Sequence, residues 1–478
     1  MSIYVDYGIY SQGGWRACST TVDVISPVTE AAIGAAPVAS IEDTLAALEG
    51  AAAARETLEV MGGFARADAL HRAADRMVDR RDEAARIITL ETGKPIAQST
   101  REWGLACDQF RWYAEESRRI DGRIIDSRVP GGRFEVHHPP VGVVGAFTAW
   151  NFPAALPARK LAPALAAGCP VVLRPSSQTP GTAMIMVDCL HEIGLPAGAV
   201  SLIVGPTANT YAPVMADARV RKVSLTGSTR VGQQMIRDAA DTVKKVSMEL
   251  GGNAPLIVYE DADLDSALDV IVPTKFANAG QVCVTPDRFF VHQSLYDDFV
   301  DGFIARTRAI RLGNGLDTDI GMGPLINANR VTEMENIVAD ALNGGARVEC
   351  GGQRAMAFER GHFFEPTVLT RVTDDMRVFA EENFGPIAAI TAFREEAEAI
   401  ERANASPMGL SAYAFTRDAE RARHTVSALN AGMVGINSFA LAASEAPFGG
   451  TNFSGMGREG GVEGIMDYLD TKLAQIVF

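Results

Sequence analysis

The stretch Val141-Gly142-Val143-Val144-Gly145-Ala146-Phe147 decides the fold. A short unbroken apolar run suits a strand covered on both faces, which is how parallel sheets are built. A second such run is Val171-Val172-Leu173. Thr179-Pro180 after it supplies an N-cap and a first helical residue, and Gly194 with Pro196 beyond closes that helix. Further strands are predicted over Ser201–Val204 and Lys222–Leu225, each followed by a Gly-containing turn and a helical pattern. This alternation is the rhythm of a nucleotide-binding, doubly wound α/β sheet.

Upstream, Met1 to Arg16 reads as a short hairpin. Ser40 opens a helix with Asp43 as its capping-box partner, and Ile41, Leu45 and Leu48 follow at helical spacing. A helical stretch through Ala69-Leu70, Met77 and Ile87-Ile88 stops near Gly93 and Pro95. From Arg123 to His138, Ile124, Val129, Phe134 and Val136 flank Pro130-Gly131-Gly132, a charged hairpin expected to project from the body. Downstream, a new α/β series starts after Gly251-Gly252 with a strand over Leu256–Tyr259, a helix over Asp263–Lys275 and a strand over Arg288–Val291. Tyr468–Phe478 reads as a strand able to pair with the projecting hairpin.

The chain has 478 residues, 47% of them hydrophobic and 22% charged. At roughly 100–200 residues per domain this means two or three globular domains. A formal net charge of −15 disfavours nucleic acid and anionic membrane as partners. The six cysteines are scattered, with no CxxC pair and no His at ligand spacing, so neither a disulfide framework nor a metal site is expected. No apolar run approaches the ~20 residues of a membrane span, and a cytoplasmic protein is expected.

Four short strings carry chemistry. In Asn278-Ala-Gly280-Gln281-Val-Cys283, a thiolate is a good nucleophile toward carbonyls, although a lone Cys is more often a small core residue. Glu249, before Gly251-Gly252, suits a general base at a strand end, although a Glu so placed is more often a surface or helix-capping carboxylate. Asn151, in Trp150-Asn151-Phe152-Pro153, can donate to an oxyanion or simply turn the chain. Thr226-Gly227-Ser228-Thr229-Arg230-Val231-Gly232 follows a strand and opens a helix whose N-terminus suits a phosphate, or a plain Ser cap.

Together these strings resemble the aldehyde dehydrogenase superfamily over essentially the whole chain. Glu381-Glu382-Asn383-Phe384-Gly385-Pro386 and Pro447-Phe448-Gly449-Gly450, with Ser454-Gly-Met-Gly-Arg-Glu459, extend the likeness. The resemblance implies a Rossmann-like cofactor domain (1–119 and 140–251), an α/β catalytic domain (252–446) and a small β oligomerisation flap (120–139 and 458–478) that builds a homodimer or homotetramer. It implies Cys283 as nucleophile, Asn151 and the Cys283 N–H as the oxyanion hole, Glu249 as the base for water, and Lys160 in proton transfer. For the cofactor it implies Trp150, Arg174, Ser176, Ser177, Gly205, Gly227, Ser228, Leu250, Glu382 and Phe384, with Glu382 on the nicotinamide ribose and Ser228 at the pyrophosphate. The cofactor is NAD or NADP. Where the family usually carries Lys-Pro-x-Glu, this chain has Arg174-Pro175-Ser176-Ser177, so NADP acceptance is expected.

The region Phe110–Ile120 and Gln178-Thr179-Pro180 look like the succinate semialdehyde dehydrogenase branch, in which Arg159 would hold the substrate carboxylate. Two residues depart from that branch. Ala277 stands where an arginine is usual, which leaves room for a bulkier or uncharged aldehyde. Thr285 stands where the branch often has a second Cys, so no local disulfide with Cys283 is available. Glu249 argues against transfer of the thioester to CoA, and retention of Cys283, Glu249 and Asn151 argues against a non-enzymatic binding protein on this fold. Ester hydrolysis by the same Cys is a conceivable side reaction.

Overall fold

The structure is a computed structural model that describes Tyr4 and residues 7–478. Val143–Phe147 is a fully buried strand at the centre of an eight-stranded sheet. On one side it pairs in parallel with Val171–Arg174, which pairs in parallel with Val200–Leu202. On the other it pairs in parallel with Val220–Thr226, then Lys245–Glu249. The strand order therefore reverses beside Val143–Phe147, and a crevice opens at the carboxyl ends of the strands flanking a reversal. The loops that follow Phe147 and Thr226 meet there.

The edges of this sheet are antiparallel. Ile9–Ser11 and Gly14–Arg16 form the N-terminal hairpin at one edge, and Gly455–Met456 closes the other against Lys245–Glu249. Met1–Ile3, Val5 and Asp6 of the predicted hairpin region lie outside the described residues.

A second sheet has seven strands, in the order Arg347–Cys350, Thr367–Thr370, Ile387–Phe393, Pro286–His292, Ala254–Val258, Ser411–Phe415, Met433–Ile436. All pairings are parallel except that of the Arg347–Cys350 edge. Leu256, Ile257, Val258, Phe289 and Phe290 are completely enclosed, which is why these strands read as continuous apolar runs. The chain passes from Glu249, the last residue of a strand in one sheet, to Ala254, the first of a strand in the other, so the first sheet's carboxyl ends face the second sheet's amino ends.

A third sheet stands apart: Arg123–Asp126 and Gly132–His137 form the hairpin, and Lys472–Val477 pairs antiparallel with Gly132–His137. Ile124 and Leu473 are 71% and 62% exposed on it.

Three local expectations need correction. The helical stretch ending at Gly93 is two helices, Gly62–Asp79 and Arg81–Thr92, broken at Arg80, which has left helical geometry (φ −98°, ψ 16°). Thr179 makes no side-chain cap; its hydroxyl donates to the Trp150 carbonyl at 3.4 Å, tying two loops of the crevice together. The C-terminal strand begins at Lys472, because Ile465, Tyr468 and Leu469 are spent in the core beneath the Ala155–Ala167 helix. The Ser40–Asp43 capping box is present, with Asp43 N–H donating to Ser40 Oγ at 3.0 Å and Ser40 N–H to Asp43 Oδ2 at 2.9 Å.

Candidate active site

The loop that carries Cys283 is strained. Asn278, Ala279 and Gly280 all lie in the left-handed region, at φ 48°, 54° and 70°. Two of them are not glycine, and such residues persist only where neighbours over-determine them. Here the neighbours are specific. Gln98 Oε1 accepts from Asn278 N–H at 2.9 Å, and Asn278 Nδ2 donates to the carbonyls of Asn151 and Gln281. Gln281, completely buried, donates back to the Asn278 carbonyl and accepts from Ile326 N–H, both at 2.9 Å. A Cβ on Gly280 would stand 2.1 Å from the Gly385 carbonyl oxygen, so only glycine fits.

Asn151 is 4% exposed, and its amide donates to the Gln281 carbonyl at 3.1 Å. Its own carbonyl accepts from Lys94 Nζ at 2.7 Å. Lys94 also donates to Glu102 Oε2 at 2.6 Å, while Glu102 Oε1 accepts from Ala154 N–H at 2.8 Å. A buried charge needs a partner and filled hydrogen-bonding positions, and each of these has both. The pair therefore clamps the Asn151 loop from beneath.

Two cavities meet at Cys283. The first, about 290 Å³, is lined by Trp150, Asn151, Gly227, Ser228, Glu249, Leu250, Glu382, Phe384 and Arg330. The Trp150 and Phe384 rings stand edge to face at 5.5 Å. Phe384 is held at φ 46° because Arg330 donates to the carbonyls of Asn383 and Phe384. Glu382 accepts from Gly252 N–H at 3.0 Å, and burial raises its carboxyl to about 7. Ser228 caps the Thr229–Ala240 helix. Arg174, Ser176, Ser177 and Gly205 lie at or after the carboxyl ends of the neighbouring strands; Arg174 Nη2 donates to the Gly205 carbonyl, and its Nε is buried without a partner among the described residues. Ser176 accepts from Gln178 N–H in the turn.

The second cavity, about 90 Å³, lies on the other side of Cys283, between Leu105, Gln109, Phe152, Arg159, Phe448 and Glu459. Arg159 lies over the Phe448 ring at 4.3 Å and donates through Nη2 to the Ala442 carbonyl; its Nη1 is buried without a partner among the described residues. Glu249 borders both cavities.

Three carboxyl groups, those of Glu249, Glu382 and Glu459, crowd the Cys283 thiol at this junction. Burial pushes the Cys283 thiol up to about 12, with Glu249 and then Glu382 adding to the shift. Burial, then Glu459, holds the Glu249 carboxyl well above the usual range, against the pull of Lys160 and Arg159. Among the described residues, Glu249 Oε1 and Glu459 Oε2 are buried without partners. Lys160, completely buried, donates to Glu459 Oε1 at 2.5 Å and to Ser224 Oγ at 2.9 Å. Such crowding of perturbed acids in a cleft marks a reactive centre.

The chain belongs to the aldehyde dehydrogenase family. That family's sequence model, described as "Aldehyde dehydrogenase family", matches residues 15–474. The 3-sulfolactaldehyde dehydrogenase of Pseudomonas putida is 46% identical over 85% of this chain and 83% of that protein. The succinate-semialdehyde dehydrogenase [NADP(+)] of Escherichia coli K12 is 41% identical over 94% of this chain and 93% of its own. The crystal structure of betaine aldehyde dehydrogenase from Staphylococcus aureus in complex with NAD+ superposes with a TM-score of 0.96 at 34% identity, covering 98% of this chain and 95% of that one. This protein is an NAD(P)-dependent aldehyde dehydrogenase acting on small-molecule aldehydes.

The Asn151, Glu249 and Cys283 side chains, read as separate signals, converge on one point, and Trp150, Gly227, Ser228, Leu250, Glu382 and Phe384 share one cavity with them. Sequence reading passed over Lys94, Glu102 and Arg330. Lys94 sits between the Gly93 and Pro95 stop signals and was masked by them; Arg330, early in the Ala328–Asn343 helix, carries no local pattern at all. Among the described residues no helix is long and apolar enough to cross a membrane.

Proposed function

We propose that the enzyme oxidises a small aldehyde bearing an anionic group, such as succinate semialdehyde or another semialdehyde, to the carboxylic acid through a thioester on Cys283. One observation carries this reading: Cys283, Glu249 and Arg159, whose buried Nη1 has no partner among the described residues, border a single small cavity. Two of the relatives named above are dehydrogenases of succinate semialdehyde and of 3-sulfolactaldehyde, both small and anionic.

In this reading the Cys283 sulfur adds to the carbonyl carbon, and the Asn151 amide with the Cys283 N–H holds the oxygen as it gains charge. The thiol proton must leave first; it passes to solvent through the larger cavity, so that Glu249 stays free for the second half of the reaction. The nicotinamide, when bound, supplies the hydride acceptor. The residues of the larger cavity fit that group: Glu382 presents a carboxylate for ribose hydroxyls, and the α-helix capped by Ser228 offers free N–H groups to a pyrophosphate. Glu249 then takes a proton from water as the water oxygen adds to the thioester carbonyl carbon, and the C–S bond breaks to return the Cys283 thiolate and release the acid. The lobe on the eight-stranded sheet is the cofactor domain and that on the seven-stranded sheet the catalytic domain. The three-stranded flap, with its exposed Ile124 and Leu473, joins copies into a dimer or tetramer.

The test is reduced-cofactor absorbance with succinate semialdehyde and with neutral aliphatic and aromatic aldehydes, in the wild type and in Arg159→Leu. The anionic aldehyde is expected to have the higher kcat/KM, and the variant to lose about 10- to 100-fold on it alone, the effect of removing a charge-assisted hydrogen bond. An equal loss on neutral aldehydes would overturn the assignment.

A further inference from the structure

The Arg159 cavity adjoins an outer vestibule of about 580 Å³, and the two share Leu105 and Phe152 in their walls. One wall of both is the Ile96–Ser117 helix. Arg101, Leu105 and Gln109 stand four residues apart on it, so they stack along one face with a rise of about 6 Å per step. Arg101 lines the vestibule, Leu105 borders both spaces, and Gln109 lines the inner cavity with Cys283. The helix thus arranges a cation, an apolar collar and an amide in order from outside inward.

Three charged side chains line the vestibule: Lys94, Arg101 and Glu102. Lys94 and Glu102 are both buried and neutralise each other at 2.6 Å. Arg101 is exposed and, among the described residues, has no ion-pair partner. The chain as a whole carries −15. A lone cation at the mouth of a low-dielectric channel reverses the local field and concentrates anions there.

We propose that Arg101 is a specificity-determining residue that captures the anionic group of the substrate at the vestibule and hands it inward to Arg159. The proposal rests on the reading of an anionic aldehyde given above. Its action is on capture, so it governs kcat/KM and its salt dependence more than kcat. Ala277 lines the same vestibule, so an arginine there would place a guanidinium in the same space.

Two alkylating agents of nearly equal size test this without any choice of substrate: iodoacetate, an anion, and iodoacetamide, neutral. The rate of Cys283 alkylation is followed by mass spectrometry of its peptide, which separates it from the half-buried Cys18 and Cys350. Arg101→Gln is expected to lower the iodoacetate-to-iodoacetamide rate ratio about three- to tenfold, and Arg101→Glu further. Salt raised from about 0.05 to 0.5 M should shrink the wild-type ratio in the same direction, since the vestibule is open to solvent. Ala277→Arg in the Arg101→Gln background should restore it. The anionic aldehyde should lose more kcat/KM than a neutral one of equal length. An unchanged ratio in both Arg101 variants overturns the proposal. A ratio that falls in an enzyme that prefers neutral aldehydes upholds capture by Arg101 and overturns instead the reading of the natural substrate as anionic.

Discussion

The two cavities that meet at Cys283 are built from different kinds of sequence. The larger one takes its wall from short contiguous strings at the ends of strands: Trp150-Asn151, Gly227-Ser228, Glu249-Leu250-Gly251, Glu382 and Phe384. The smaller one is assembled from side chains far apart in the chain, among them Leu105, Gln109, Arg159, Ala442 and Phe448. In the first, backbone geometry does most of the shaping: beside this wall, a Cβ added to Gly252 would stand 2.5 Å from the Cys283 carbonyl oxygen. In the second, side-chain identity sets shape and charge. A backbone-shaped wall tolerates few substitutions, whereas a side-chain wall can change its ligand one residue at a time.

The residue common to both walls gives the largest expected effect. Cys283→Ala should lower aldehyde oxidation by at least about 10³-fold, because without the sulfur no thioester forms. Cofactor affinity, followed by fluorescence titration, should be retained, since the larger cavity keeps its other residues. If oxidation survives, the covalent route fails; if cofactor binding is lost as well, the two cavities do not function independently.

Glu249 also borders both cavities, and its replacement separates the two halves of the reaction. Glu249→Gln should reduce steady-state turnover about 10²- to 10⁴-fold, the usual range for a general base, while a single burst of reduced cofactor persists. The sign of the pH dependence follows from burial. The Glu249 carboxyl is held well above the ordinary range, so acid protonates it and removes the base while ordinary carboxylates are still ionised. The wild-type turnover should therefore fall as pH drops from neutral, and the residual turnover of the Gln variant should lose that limb. A variant with no burst would place Glu249 in thiol activation rather than in deacylation.

The same contrast explains what could be read from the sequence. Parallel strands buried on both faces announce themselves as apolar runs, so Val143–Phe147, Val171–Arg174 and Ala254–Val258 were legible within a few residues. The family strings located Asn151, Glu249 and Cys283 because their spacing is fixed by turns at strand ends. Lys94 and Glu102 were not legible: they lie eight residues apart, and only the fold brings them under the Asn151 carbonyl. Nor could one long helical pattern reveal the break at Arg80, where Arg80 leaves the helix to pair with Asp188 at 2.7 Å on a distant helix. Arg101 carried no signal either, since one arginine on an exposed helical turn is ordinary until the vestibule is seen.

Cofactor choice gives the smallest expected effect, because it depends on the outer end of the larger cavity, where contacts are few and solvent is near. Ser177 is half-buried just past the end of the Val171–Arg174 strand, and no carboxylate stands at its position. A carboxylate there would accept hydrogen bonds from the ribose hydroxyls of NAD and repel the 2′-phosphate of NADP. Arg174 acts in the opposite sense. Its Nε is buried without a partner, so an anion within reach would satisfy a donor that otherwise costs stability. Ser177→Glu should therefore move the NADP-to-NAD ratio of kcat/KM toward NAD by about three- to fivefold, the scale of one charged contact near the surface. Arg174→Ala should move it the same way by a comparable factor. If Ser177→Glu shifts the ratio while Arg174→Ala does not, phosphate acceptance comes from the absence of a repelling carboxylate alone. If neither shifts it, the adenosine end of the cofactor is held by the backbone around Gly205, and this end of the cavity too is shaped by main chain.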